Sequence, residues 1–186
     1  EQSTHQYSVH ASHVDGLGLS YGTALMSRLY LSDPLAVTFD PSLSPVPKGF
    51  VVSTIQWPGA DRVAIDVVSV HLDFMSSDVR RRQIAEMIAA LKGRGNPVIL
   101  MGDFNTDWHK AGSVLHELVK QLDLHAYQPE NEQIQTFPAL KERLDWILVS
   151  RSFRFESHAV IDAGLSDHQA VLAELRLVEP AWLVRR

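Results

Sequence analysis

The chain has 186 residues, 45% hydrophobic and 21% charged, the balance of one globular domain, which excludes a disordered or collagen-like chain. No apolar run reaches the roughly 18 residues of a membrane span. Seventeen Lys and Arg against 22 Asp and Glu leave a net charge of −5, so no broad basic footprint for nucleic acid is present. The absence of cysteine excludes disulfide frameworks, thiolate metal sites and a cysteine nucleophile.

The first residues, EQSTHQYSVHASHVDG, carry neither an initiator Met nor a basic-then-apolar leader. Residues 1–20 read as a poorly determined segment, with His5, His10 and His13 in disorder or loop. Short β-branched or apolar runs then predict strands at Ala24–Leu29, Ala36–Phe39, Phe50–Trp57 and Val63–Leu72. Asp40–Gly49, with three prolines, reads as a stiff loop inside one domain, and Pro58–Asp61 as a hairpin turn. Ser76 or Ser77 can cap a helix whose Ile84, Met87, Ile88 and Leu91 share a face before Gly93 and Gly95 stop it. Arg80, Arg81 and Arg82 read as its solvated side.

Val98–Met101 predicts the next strand and Ser113–Leu122 a second helix. Leu144–Val149, Phe155–Ile161 and Ala170–Val178 complete the strands. Val63–Leu72 and Val98–Met101 are apolar nearly throughout, as in strands covered on both faces, while each helix has one apolar stripe to lay on a sheet. The fold class is α/β, richer in strand than helix. The domain spans 21–178, with 179–186, including Trp182–Arg186, as a peripheral tail.

Polar groups gather where the apolar strands end. His71 closes one, Asp103, Asn105 and Asp107 follow another, Asp145 opens a third, and Asp167 and His168 precede a fourth. Singly, each has an ordinary structural explanation: turn former, helix cap, core histidine, or an Arg143–Asp145 surface ion pair. Together, Asp, Asn and His supply hard ligands for Mg²⁺ or Mn²⁺ and groups that move protons near neutrality. Phosphoester hydrolysis needs that set: a cation on the phosphoryl oxygens, an aligned water and a proton donor for the leaving oxygen.

Four strings in order, VSVHLDF, VILMGDFNTDW, ERLDWILVS and LSDHQAVLAEL, resemble the endonuclease/exonuclease/phosphatase superfamily. YGTALMSR at Tyr21–Arg28 resembles its Gly-Asn-Ala-x-x-Ser-Arg strand, with Thr23 where Asn is frequent. The resemblance implies a deoxyribonuclease I-like two-layer β-sandwich flanked by helices. It also implies that Asp103 orients or deprotonates the attacking water and that Asn105 contacts the phosphate. His168 would bind the phosphoryl oxygen with Asp145 as its carboxylate partner, and His71 would be the general acid. Asp167, Asp103 and Asn105 are the implied metal ligands for Mg²⁺ or Mn²⁺. The family's opening strands, one ending in a Gln-Glu whose Glu is the principal metal ligand, have no counterpart here; Glu1-Gln2 has the wrong order. The expectation is an N-terminally truncated chain lacking roughly 40 to 60 residues of a domain of about 250.

The resulting reading is a soluble metal-dependent phosphoester hydrolase, most specifically a phosphodiesterase, acting on nucleic acid, phospholipid or a small phosphate. The alternatives are an inactive fragment of such an enzyme and a phosphomonoesterase on a lipid or sugar phosphate. Missing strands would leave an exposed strand edge through which the chain could dimerise.

Overall fold

Alternate residues of the central strands belong to two different cores. Phe50, Val52, Val68, Val70, Leu100, Trp146 and Leu148 pack to one side, and Val51, Ile55, Ile65, Ile99, Ile147 and Val149 to the other. Side chains alternate along a strand, so a strand apolar on both faces must be covered twice. The computed structural model describes residues 6–16, 19–59 and 63–178. In chain order its elements are β1 (Tyr7–Gly16), β2 (Leu19–Ser27), β3 (Ser32–Thr38), β4 (Gly49–Gln56), β5 (Ala64–His71), α1 (Ser77–Lys92), β6 (Val98–Asp103), α2 (Leu115–Leu122), β7 (Leu124–Ala126), β8 (Asp145–Ser150), β9 (Phe153–Ile161) and β10 (Ala170–Leu177).

The six-stranded sheet runs β3-β4-β5-β6-β8-β7. Only β5 and β6 pair in parallel, and α1 makes the crossover that such a pair requires. Ile84, Met87 and Leu91 of α1, with Leu115 and Leu118 of α2, cover the first face. The antiparallel hairpins β1–β2 and β9–β10 cover the second, through Ala11, Leu25 and Phe153, with Phe155, Val171 and Ala173 partly buried beside them. This is the strand-rich α/β fold that the sequence predicts, a second β layer on one side and helices on the other.

Ser76 is the residue that starts α1: its Oγ accepts from the Val79 N–H at 3.4 Å while its own backbone stays extended. The second helix begins two residues later than predicted, because Ser113 spends its Oγ on the Leu115 N–H ahead of the first full turn. Two readings need correction. His10 and His13 lie on strand β1, and the buried His13 ring bonds Thr38 Oγ1 at 2.9 Å and Thr23 Oγ1 at 3.3 Å. Arg80 is not solvated; its Nη1 donates to the Asp73 carbonyl at 2.9 Å and tethers α1 to the end of β5. The strand Leu124–Ala126 was not anticipated, being only three residues long. Glu1-Gln2, His5, Ala60 and Asp61 of the predicted turn, and the 179–186 tail lie outside the described residues. No described helix is long and apolar enough to cross a membrane.

Candidate active site

Strand register assembles the centre of the site. His71 ends β5 opposite Asp103 of β6, and Asp103 stands opposite Asp145 of β8. Directly opposed residues project to the same face of a sheet, so three neighbouring strands place three polar groups in one row. Their position in the alternation puts the row on the side of the hairpin layer. His71 Nε2 lies 3.2 Å from Asp103 Oδ2. The β9–β10 connection brings the fourth group, and His168 Nδ1 meets Asp145 Oδ2 at 2.8 Å. That connection is anchored by the Gln169 N–H, which donates to the Thr136 carbonyl at 2.8 Å, and by Phe137, whose ring lies 4.8 Å from the His168 ring. The cleft over the row has a volume of about 640 Å³, and His71, Asp103, Asn105, Asp145, Asp167 and His168 all line it. The structure therefore brings together every site residue nominated from sequence.

The Gly102–Asn105 turn is built around Asp103. Gly102 has φ +144°, and a Cβ there would meet the Val70 carbonyl oxygen at 1.9 Å, so β6 reaches β5 only through a glycine. Asn105 has φ +50°, a conformation that asparagine tolerates. Its backbone N–H donates to Asp103 Oδ1 at 2.8 Å, and its Nδ2 donates to Asp103 Oδ2 at 3.1 Å and to the Leu72 carbonyl at 2.9 Å. Asn105 is thus turn former and clamp at once, with its amide nitrogen engaged and its amide oxygen left to the cleft. Asp107 serves the framework: it accepts from the His109 and Arg143 N–H groups.

The surface ion pair weighed for Arg143 and Asp145 does not form. Arg143 is buried, stacks 3.9 Å over the Trp146 ring, and donates to the Tyr127 carbonyl at 2.9 Å. Burial, partly offset by Asp107, lowers its pKa to about 10. Asp145 turns to His168 instead. Burial raises the Asp145 pKa, against hydrogen bonds from the Thr136 hydroxyl and His168 that lower it. Burial also opposes a charged His168 ring. The Asp145 hydrogen bond and the carboxylates of Asp145, Asp103 and Asp167 outweigh it and raise the His168 pKa.

Asp103, Asp145 and His168 each offer a ligand atom, all within 4.8 Å of one another, in a group that could hold a metal ion. Two carboxylates and an imidazole suit a divalent cation of the first row or Mg²⁺. Asp167 lines the same cleft but is not in that trio; it is exposed on its loop.

Two polar neighbours had been passed over. Lys48 is only 7% exposed, and its Nζ lies 2.8 Å from Tyr21 Oη and 2.9 Å from His71 Nε2. It stands at the end of the proline-rich stretch that reads as a stiff loop inside the domain; a Lys-Gly pair opening an apolar strand is the available signal.

The sequence profile of the Endonuclease/Exonuclease/phosphatase family matches residues 3–168. The chain belongs to that family. No curated protein matches it. Among solved structures, this family member is similar to an endonuclease/exonuclease/phosphatase from Beutenbergia cavernae, at 19% identity and a TM-score of 0.71. The match covers 92% of this chain but 53% of that one, so this chain spans about half its length. The human Nocturnin catalytic domain with bound sulfate gives 15% identity and a TM-score of 0.71, covering 92% and 72%. Sphingomyelinase C from Streptomyces griseocarneus gives 16% and 0.65, covering 91% and 77%. At these identities the matches establish the deoxyribonuclease I-like fold.

Proposed function

We propose that the cleft hydrolyses phosphodiesters with the help of a divalent cation, Mg²⁺ or Mn²⁺. The observation that carries this reading is the row His71–Asp103–Asp145, closed by His168 at 2.8 Å. Asp103 and Asp145, with Asp167 and the Asn105 amide oxygen within the same cleft, are the oxygen donors that would hold the cation. When bound, it supplies positive charge to the phosphoryl oxygens. Asp103, fixed on both carboxylate oxygens by Asn105, aligns a water and takes its proton as the oxygen attacks phosphorus. His168, favoured in its protonated form by Asp145, donates to a phosphoryl oxygen as negative charge builds there. His71, on the far side of Asp103 from Asp145, gives a proton to the departing ester oxygen.

The test is hydrolysis of bis(p-nitrophenyl) phosphate with Mg²⁺ or Mn²⁺ by the protein and its His168→Ala variant. Metal-dependent turnover that the variant loses supports the reading, and equal rates in both overturn it. No turnover in either would favour the inactive-fragment alternative.

Among the substrate classes, the rim favours a phospholipid. Phe74 and Leu140 line the cleft while 52% and 61% exposed, and Leu165, two residues before Asp167, is 90% exposed. Among the described residues, the one lysine lining the cleft, Lys110, is paired with Glu142, so they present little free positive charge to a polyanion. Co-sedimentation with phosphatidylcholine vesicles, lost in Phe74→Ser/Leu140→Ser, would support this choice; stronger retention on DNA would reverse it. A second copy could pair along the two-stranded sheets β1–β2 and β9–β10, and the solution mass would reveal such a dimer.

A further inference from the structure

We infer that the pocket between the 128–135 loop and β9 is a second binding site, for an uncharged, hydroxyl-rich ring: a sugar or a cyclitol. The site lies outside the phosphodiester cleft, and its occupancy does not depend on turnover there.

The cavity has a volume of about 500 Å³, within the range of small-molecule sites. It shares no lining residue with the cleft. The wall between them gives Phe137 and His168 to the cleft and Pro138 and Gln169 to the pocket. The Gln169 N–H fixes that wall on the Thr136 carbonyl at 2.8 Å. On the opposite side β9 reaches the pocket through a bulge. Phe155 pairs with Leu175 and Ser157 with Glu174, so Glu156 is an extra residue. Side chains alternate along a strand, so the insertion turns His158 and Val160 to the face that Phe153 and Phe155 hold before it.

Five carboxamides line the pocket, from Gln128, Asn131, Gln133, Gln135 and Gln169, beside the Tyr127 and His158 rings. Among the described residues, no Asp, Glu, Lys or Arg lines it. Arg143 Nη2 lies 3.2 Å from His158 Nε2, and a guanidinium only donates, so that nitrogen accepts and the ring proton sits on Nδ1. Burial first, then the guanidinium, hold the ring neutral down to a pKa of about 4. The lining is therefore neutral throughout. A charged ligand would shed water there without meeting a counter-charge, and an apolar one would cover amides without pairing them.

The amides are placed before a ligand arrives, which lowers the cost of binding one. Asn131 organises the loop: its Nδ2 donates to Gln128 Oε1 at 2.9 Å, and its Oδ1 accepts the Gln133 N–H at 3.0 Å. Gln133 and Gln169 are held by their backbone N–H groups, and among the described residues neither side-chain amide has a hydrogen-bond partner. Each offers a donor and an acceptor, one from the loop and one from the residue before β10. A hydroxyl also donates and accepts, so a ring bearing hydroxyls around its edge pairs with carboxamides on several sides. A nucleobase fits less well. It asks for an open aromatic face, and Tyr127 and His158 spend one face each on the other, 4.8 Å apart and 4° from parallel.

Two soluble rings, methyl α-D-glucopyranoside and myo-inositol, are titrated into ¹⁵N-labelled protein while the side-chain amide signals are followed. The expected result is a saturable shift of the Gln133 and Gln169 amides with at least one of them, the Asn105 amide staying unmoved. Gln133→Leu and Gln169→Leu should each weaken binding about three- to tenfold, the worth of one neutral hydrogen bond. Gln133 is exposed, so its variant keeps the native fold even where Gln169→Leu does not. A second arm asks whether the ring belongs to a lipid headgroup, by co-sedimentation with phosphatidylcholine vesicles with and without monoglucosyl diacylglycerol. Extra retention on the glycolipid that Gln133→Leu loses supports the site and assigns the ring to a membrane, even where the soluble rings give no shift. Silence in both arms overturns the inference. Tighter binding of uridine or choline than of either ring overturns it too, as does undiminished affinity in both Leu variants.

Discussion

The two ends of β5 and β6 hold acidic side chains in opposite conditions. At one end Asp66 is fully buried and saturated: Arg94 Nε donates to Oδ2 at 3.0 Å, while Thr54 Oγ1 and Asn96 Nδ2 donate to Oδ1 at 2.7 and 3.2 Å. Arg94 also reaches Thr54 and the Asp33 carbonyl, stitching the α1–β6 loop to β3 and β4. At the other end Asp103 and Asp145 keep 16% and 21% of their side chains open to a cleft, and their basic partners are histidines. A carboxylate with every oxygen satisfied and a permanent cation beside it has nothing left to offer a ligand. One that stays partly open to the cleft and is paired with a titratable ring does. A permanent cation and complete burial, more than hydrogen-bond saturation, separate the structural acid from the functional ones, since Asp103 also accepts on both oxygens.

The comparison breaks most visibly at the cleft end. Asp103→Asn and His168→Ala should each cost roughly 10²–10⁴-fold in phosphodiester turnover, the usual scale for a positioned acid–base group. Their melting temperatures should stay close to that of the wild type. Calorimetry beside the kinetic assay checks both halves, and a large drop in melting temperature would make these groups structural after all.

The opposite end should respond in the opposite sense. Asp66→Ala leaves the Arg94 guanidinium, Thr54 and Asn96 without their shared acceptor, and breaking a buried pair by removing one partner costs about 3–5 kcal/mol. Urea unfolding measures the loss. Turnover per folded molecule should remain within about twofold of wild type, since Asp66 sits at the far end of the strand from His71. Loss of activity in a folded Asp66→Ala protein would dissolve the distinction between the two ends.

Sequence reasoning located one of these ends and missed the other, for a physical reason. The cleft residues cluster at strand ends in polar strings such as GDFN and SDHQ, so spacing along the chain betrays them. Asp66 stands inside the apolar run VAIDVVSV, and its partners lie on β4 and beyond α1, so only the folded chain brings them together. Lys48 was hidden in the same way, its partners Tyr21 and His71 lying 27 and 23 residues distant. The strands and helices were legible because two-sided apolar runs and 3.6-residue stripes are local signals. β1 was not: Tyr7–Gly16 alternates small, polar and histidine side chains, and its burial depends on a hairpin partner and on the sheet beneath. The row His71–Asp103–Asp145 is a property of register, which no local pattern specifies.

The smallest effects are those of pH, and they sharpen the contrast between two histidines of the β9–β10 hairpin. His168 faces Asp145, and its pKa is raised in the folded state. Its contribution to stability is therefore fully present below its unfolded value of about 6.5 and is lost as pH rises through the higher folded value. His158 is partly buried, with Nε2 3.2 Å from the Arg143 guanidinium; burial first, then that cation, lower its pKa to about 4. Its sign is reversed: the neutral ring contributes fully above about pH 6.5, and the contribution disappears as pH falls toward 4. Allowing for solvent screening, the His158 swing amounts to roughly 1–2 kcal/mol. Unfolding free energies measured from pH 4 to pH 8 for wild type, His158→Gln and His168→Gln resolve the two. The wild-type curve minus that of His158→Gln should rise with pH between 4 and 6.5, and minus that of His168→Gln it should fall above 6.5. Two difference curves of the same sign would mean that the guanidinium beside one ring and the carboxylate beside the other do not govern their charge.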